Sequence, residues 1–214
     1  MLPSWVSSCD IDGRTIFLDV RRNRYAAMGS DIAAALKTGD YAAVPPKILK
    51  HIGAWGWQDS EGEEPPRGGR LIEKPNIELS AMTRFEGAPI RLVGSALASL
   101  LLTRCRLTTE SFEALLRRVE AANDSAARLS PRTTPGQIVA ASEMVDRVLS
   151  GSRACLVRSL ALHRLLAHHG HASALVFAAR LNPFRAHCWL QQGQVVLNDT
   201  IEQTGLFTAL RVIE

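Results

Sequence analysis

The sequence predicts an α+β fold, and three observations predict it. Short alternating strands open the chain, amphipathic helices fill its middle, and a helix followed by three strands closes it. At 214 residues it can bury a sizeable core and is expected to form one or two domains. Gln58–Arg70 (QDSEGEEPPRGGR) is polar, then acidic, then rich in proline and glycine, so it reads as a linker or as a long wing of the first part. The division is drawn as 1–80 and 81–214.

Composition narrows the class. Apolar residues make up 46% and charged ones 21%, as in an ordinary globular chain. The formal charge of +4 is uneven: residues 1–80 carry ten Lys/Arg against eleven Asp/Glu, and the rest fifteen against ten, all fifteen arginine. A modestly basic second part suits an acidic peptide but is also unremarkable. Cys9, Cys105, Cys155 and Cys188 form no C-x-x-C pair and no disulfide framework. Met1–Asp10 lacks the basic start and apolar run of a signal peptide, and Leu92–Leu102 is too short to span a bilayer. The expected location is cytoplasmic.

In the first part, Ile16, Leu18 and Val20 alternate with Phe17 and Asp19 as a half-buried strand. Arg21-Arg22-Asn23 turns into a second strand, Arg24–Met28. Ser30 caps a helix through Lys37, with Ile32 and Leu36 on one face and Gly39 as the stop. Pro45 or Pro46 opens another, burying Ile48, Leu49 and Ile52. A hairpin followed by short helices is winged-helix-like. The free edge of such a sheet accepts an extended peptide as an added strand. Winged helices also read DNA, but a near-neutral part without a basic stripe favours peptide.

Pro75 and Pro89 interrupt Leu71–Ile90, where no element is assigned. Leu92–Thr103 is a helix. Thr108 is expected to cap the next, with Phe112, Leu115, Leu116 and Val119 buried and Leu107 stapled to Phe112. Thr134-Pro135-Gly136-Gln137 is a capping box, followed by a buried face of Ile138, Ala141, Val145, Val148 and Leu149.

The chemistry concentrates in Ser152–Thr200. Ser152 as N-cap would put Cys155 in the first turn of a helix that ends at Gly170, with Leu156, Leu160 and Leu166 facing a core. A thiolate is favoured at a helix N-terminus. Strands follow at Ala172–Ala178, Ala186–Gln191 and Gln194–Asn198. His187 lies in the second and Asp199 ends the third, so a thiol, a base and a carboxylate that can orient the base occur in order. A two-residue loop at Gln192-Gly193 would put His187 and Asp199 on opposite faces. A three-residue loop, Gln191-Gln192-Gly193, would pair Leu190 with Gln194 and set Asp199 diagonal to His187; it is the expected one.

CLVRSLALHRLL with its following glycine, then RAHCWL, then ND, resembles the transglutaminase-like cysteine peptidases of lasso-peptide biosynthesis. The whole chain is similar to the fused B proteins of that pathway. The resemblance implies a papain-like α+β domain over 81–214 with Cys155 as nucleophile, His187 as base and Asp199 as orienter. It implies a leader-recognition domain over 1–80, whose hairpin LDVRRNRYAAM carries Tyr25 where an aromatic is usual, although the helical part is shorter than the family outline. It implies two partners, the leader of a precursor peptide and an ATP-dependent macrolactam cyclase, with no cofactor or metal in the peptidase chemistry. Cys188 stands where alanine is common and is expected to point away from the site.

Other signals have plainer readings. His168, His169 and His171 are read as solvated histidines at a helix end rather than a metal site. His163 lies about 12 Å along the helix from Cys155, too far to be its base. Gln137 is a capping residue, so the Cys155 backbone N–H is the better oxyanion donor. Trp189 either walls the site or packs in the core. Two rival functions remain: acyl transfer to an amine by the same triad, and a peptide-binding adaptor without catalysis.

Overall fold

A computed structural model describes residues 2–57, 72–79, 87–131, 133–149 and 155–214. The Gln58–Arg70 stretch and the Ser152 cap lie outside the described residues. The first part opens with an antiparallel meander: β1 (Val6–Ile11), β2 (Arg14–Asp19) and β3 (Arg24–Gly29). No strand was expected at β1, yet its signal is local. Asp12 and Gly13 both have positive φ, the geometry for which Asp-Gly is favoured in a two-residue hairpin turn. Helices α1 (Ser30–Thr38) and α2 (Pro46–Ala54) follow. Gly29, not Ser30, is the α1 cap residue, and Gly39 closes the helix with a left-handed φ.

The expectation of a half-buried β2 is corrected. Every residue of β2 after Arg14 is buried. Phe17 packs with Val6, Ala33, Leu36 and Trp57 on the side of the short helices. Ile16 and Leu18, with Val20 just past the strand, join Leu100, Leu160, Leu166, Phe177 and Leu190 in the main core. The alternation was real, but a second layer covers what looked like a solvent face. Asp19, fully buried, accepts hydrogen bonds from the Arg22 backbone N–H at 3.1 Å and Trp57 Nε1 at 3.2 Å, which satisfies its charge.

Three helices build the middle: α3 (Ile90–Thr109), α4 (Phe112–Ala126) and α5 (Pro135–Leu149). The α3 helix runs through Thr108, whose hydroxyl bonds back to the Cys105 carbonyl at 2.7 Å. The cap of α4 is therefore Ser111, which accepts from the Ala114 N–H at 3.2 Å. At α5 the Thr134 hydroxyl accepts from the Gln137 N–H at 3.3 Å, as a capping box requires. Val148 and Leu149 are 81% and 43% exposed, so the expected buried face stops at Val145. Periodicity gives the side of a helix but not how far its neighbours extend.

Helix α6 (Cys155–His168) packs against α3, α4, α5 and the second sheet. Gly170 follows it at φ +83°, and a Cβ there would lie 3.2 Å from Leu129 Cβ. The second sheet contains β4 (Ile77–Glu78), β5 (Ala174–Arg180), β6 (Arg185–Gln192), β7 (Val195–Val196) and β8 (Thr208–Ile213) in the order β4-β7-β6-β5-β8. Among the described strands only β4 and β7 run parallel. The short helix α7 (Ile201–Thr204) precedes β8. Arg211 on β8 donates to the Ser4 carbonyl at 3.2 Å and to Ser7 Oγ at 3.3 Å, tying the start of the chain to its end. Among the described residues, no helix is long and apolar enough to cross a membrane.

Candidate active site

Cys155 is the first residue of α6, so its own N–H has no acceptor within the helix and adds to the positive end of the dipole. One turn further, Ser159 donates to the Cys188 carbonyl at 3.3 Å and accepts from Asn198 Nδ2 at 2.9 Å. These bonds pin the start of α6 to β6 and to the segment after β7. His187 lies on β6, and its Nε2 donates to Asp199 Oδ2. That leaves Nδ1 free of Asp199, in the cleft that Cys155 also lines. The other Asp199 oxygen accepts from the Thr200 N–H at 2.8 Å, so the carboxylate is held at both ends.

The strand register behind this arrangement differs from the expected one. Gln191 pairs with Val196 and Gln192 with Val195, which leaves a two-residue Gly193-Gln194 turn. Gly193 has φ +53°, in the first central position, where a type II′ turn favours glycine. Gly193-Gln194 carries the Gly-X signature of that turn, one residue beyond the Gln192-Gly193 pair. Continued as a straight strand, this register would put Asp199 opposite Cys188, on the wrong face for His187. The ladder instead ends at Val196, and Leu197–Asp199 bend. Asn198 Oδ1 holds the bend by accepting from the Leu190 N–H at 2.8 Å, in a place that a strand partner would occupy. Glu78 Oε1 accepts from the Ile201 N–H at 2.7 Å on the far side. Asp199 thus reaches His187 by a bend and not by a diagonal pairing.

Cys155, His187 and Asp199 line one cleft of about 900 Å³, together with Glu143, Arg158, Arg185, Asn198 and Phe207. A hydrogen bond from the Cys188 thiol lowers the Cys155 pKa to about 4; burial opposes this, and His187 adds to it. Burial pulls His187 down, but its bonds to Asp199 and Cys155 outweigh burial and raise it to about 9. Between those values the pair stands as thiolate and imidazolium, an activated sulfur beside a proton donor.

Cys188 lies on the opposite sheet face from His187, buried in the main core, and its thiol reaches Ser159 Oγ on α6 at 4.0 Å. Trp189 takes the core alternative: it is buried with Val176, Ala178 and Val196, its ring 5.9 Å from the imidazole, and does not line the cleft. Phe207, which the sequence did not single out, lies closer at 4.8 Å. It follows α7, and no local pattern links it to β6. Asn198 was likewise missed, although its place beside Asp199 was visible.

The remaining candidates sit elsewhere. His163 is buried, pushed down to about 4 by burial, and bonds Asn123 Oδ1 at 3.0 Å. His171 is tied to the Thr133 carbonyl at 2.6 Å rather than simply solvated. His168 and His169 stack edge to face at 5.4 Å. Tyr25 from β3 approaches the site from the first sheet: its ring meets Phe184 at 5.8 Å. Burial and then the nearby Cys188 and Cys155 sulfurs push its hydroxyl pKa up.

Neither the curated proteins nor the solved structures offer a match to this chain. The transglutaminase-like superfamily matches residues 99–212, from within α3 into β8. That span contains Cys155, His187 and Asp199 and the motifs that carry the likeness to the lasso-peptide B proteins, and the likeness stands. The chain belongs to the transglutaminase-like superfamily.

Proposed function

We propose that the chain is a leader peptidase of lasso-peptide biosynthesis, acting through Cys155, His187 and Asp199. The observation that carries this reading is the His187–Asp199 hydrogen bond in the same cleft as Cys155, which stands at the start of α6. The Cys155 thiolate attacks the carbonyl carbon at the leader–core junction, forming a C–S bond and an oxyanion that the Cys155 N–H stabilises. The His187 Nδ1 proton goes to the departing amine of the core, and the C–N bond breaks. Neutral His187 then takes a proton from water, which attacks the thioester and releases the leader carboxylate. Asp199 keeps the imidazole in the productive tautomer throughout.

Substrate selection belongs to the winged-helix-like first part. Among the described residues β3 is the free edge of its sheet, since β1 leans on β8. A leader added along β3 would lie beside Tyr25 and Phe184, on the way to Cys155. In this reading the protein works in the cytoplasm and hands the new N-terminus to an ATP-dependent macrolactam cyclase.

The test is Cys155→Ala, followed by mass spectrometry of precursor peptide incubated with pure protein. Cleavage should vanish while calorimetric leader affinity stays within about twofold, because the thiol is needed only for covalent attack. Cleavage that persists would remove Cys155 from its role. A leader product carrying an amide instead of a carboxylate would point to acyl transfer.

A further inference from the structure

The hairpin that carries His187 also carries a pair of like charges that the cleavage steps leave unused. Arg180 ends β5 and Arg185 opens β6, and the register sets them directly opposite each other. Cross-strand partners share a face, and so do residues two apart on one strand. Arg180, Arg185 and His187 therefore project from the same side of the sheet. Arg185 lines the catalytic cleft. Arg180 stands behind it, its guanidinium carbon 5.4 Å from the centre of the Phe207 ring, which lies 4.8 Å from the imidazole.

Like charges directly opposite each other destabilise a sheet unless a counter-charge is supplied. Among the described residues neither arginine has a carboxylate partner, and Arg180 Nε is buried without a hydrogen-bond acceptor. The acids of the cleft are engaged elsewhere: Asp199 with His187 and the Thr200 N–H, Glu143 with Arg147 at 3.6 Å. Arg158, the other arginine of the cleft, is by contrast paired with Asp146 at 2.7 Å.

We propose that Arg180 and Arg185 form a carboxylate subsite of the cleft, selecting an acidic side chain of the leader two or three residues before the scissile bond. This rests on the reading of Cys155 as nucleophile and of β3 as the edge that takes the leader. The direction of approach puts the acid on the leader side. A chain arriving past Tyr25 and Phe184 meets Arg185, the next residue, before it meets His187. Arg185 and His187 are two residues apart on β6, about 7 Å, which an extended peptide covers in two or three residues. A guanidinium donates in a planar fork to both oxygens of a carboxylate, whereas an amide of the same shape brings neither the charge nor the second acceptor.

The probes are four N-acetyl tripeptide chloromethyl ketones, X-Ala-Gly and Ala-X-Gly with X either Asp or Asn, which occupy the leader side and alkylate the thiol. Labelling of Cys155 in the pure full chain is followed by mass spectrometry, with limiting rate and half-saturating concentration measured separately. In the wild type at least one aspartyl probe should half-saturate at about five- to tenfold lower concentration than its asparaginyl twin, with equal limiting rates. Arg185→Gln, at an exposed position, should erase that preference and leave the asparaginyl probes within about twofold. Arg180→Gln should reduce it too, and the Arg185 variant keeps the test decisive should the Arg180 one not fold. Equal labelling by the aspartyl and asparaginyl probes overturns the proposal and leaves the nucleophile reading intact, as does a preference that survives in Arg185→Gln. If no probe labels Cys155 faster than the exposed Cys105, both readings fall.

Discussion

Both sheets are covered on two sides, yet they leave different things open. The first sheet buries β2 from Thr15 onward and, among the described residues, leaves a backbone edge open, β3. The second buries its central strands and opens side chains, above all His187, at the end of β6 nearest α6. A backbone edge offers N–H and C=O groups that pair with any extended chain, so it holds a peptide with little chemical demand. Side chains aimed into a cleft carry charge and protons, so they can do chemistry. The lesson is that affinity and bond cleavage should respond to different substitutions. They still share one stability, because Ile16 and Leu18 pack in the same cluster as Leu160 and Leu190.

The largest effect expected is on the second sheet alone. Asp199→Asn keeps the shape but not the charge that supports the imidazolium, so turnover should fall by about 10² to 10⁴. Leader affinity by calorimetry should not change. An equal loss of affinity would break the separation of edge from cleft.

A change in the shared layer should reach both functions. Leu18→Ala removes a fully buried side chain from the face that meets the second part and should cost about 2–4 kcal/mol of stability. Thermal unfolding should shift as one transition for the whole chain. Two separate transitions would show that each sheet keeps a core of its own.

The smallest effect sharpens the contrast. Cys155 must lose its proton, so cleavage should fall as pH drops through about 4. His187 must keep its proton to serve the leaving amine, so cleavage should also fall as pH rises through about 9. Between pH ~5 and ~8 both cleavage and leader binding should vary less than about twofold. A cleavage limb near neutral pH would mean that the pair is not held as thiolate and imidazolium.

The sequence by itself determined what depends on near neighbours. The apolar repeat of Leu160, Leu165 and Leu166 made α6, Gly170 ended it, and Thr134 with Pro135 opened α5, because helical periodicity and caps are local. Cys155, His187 and Asp199 stood out as a thiol, a base and a carboxylate in order, carried by the motifs of a recognisable family. Tertiary structure decided everything that needed a second surface. Whether β2 had one buried face or two depended on two layers, the short helices over Phe17 and the main core over Ile16 and Leu18. Asp199 reached His187 only because the strand breaks after Val196 and Asn198 holds the bend, a hydrogen bond that no alternation pattern encodes. Cys188 looked turned away because alternation places it opposite His187. It reaches Ser159 because α6 crosses that other face, and the packing of a helix on a sheet fixes which side chains touch.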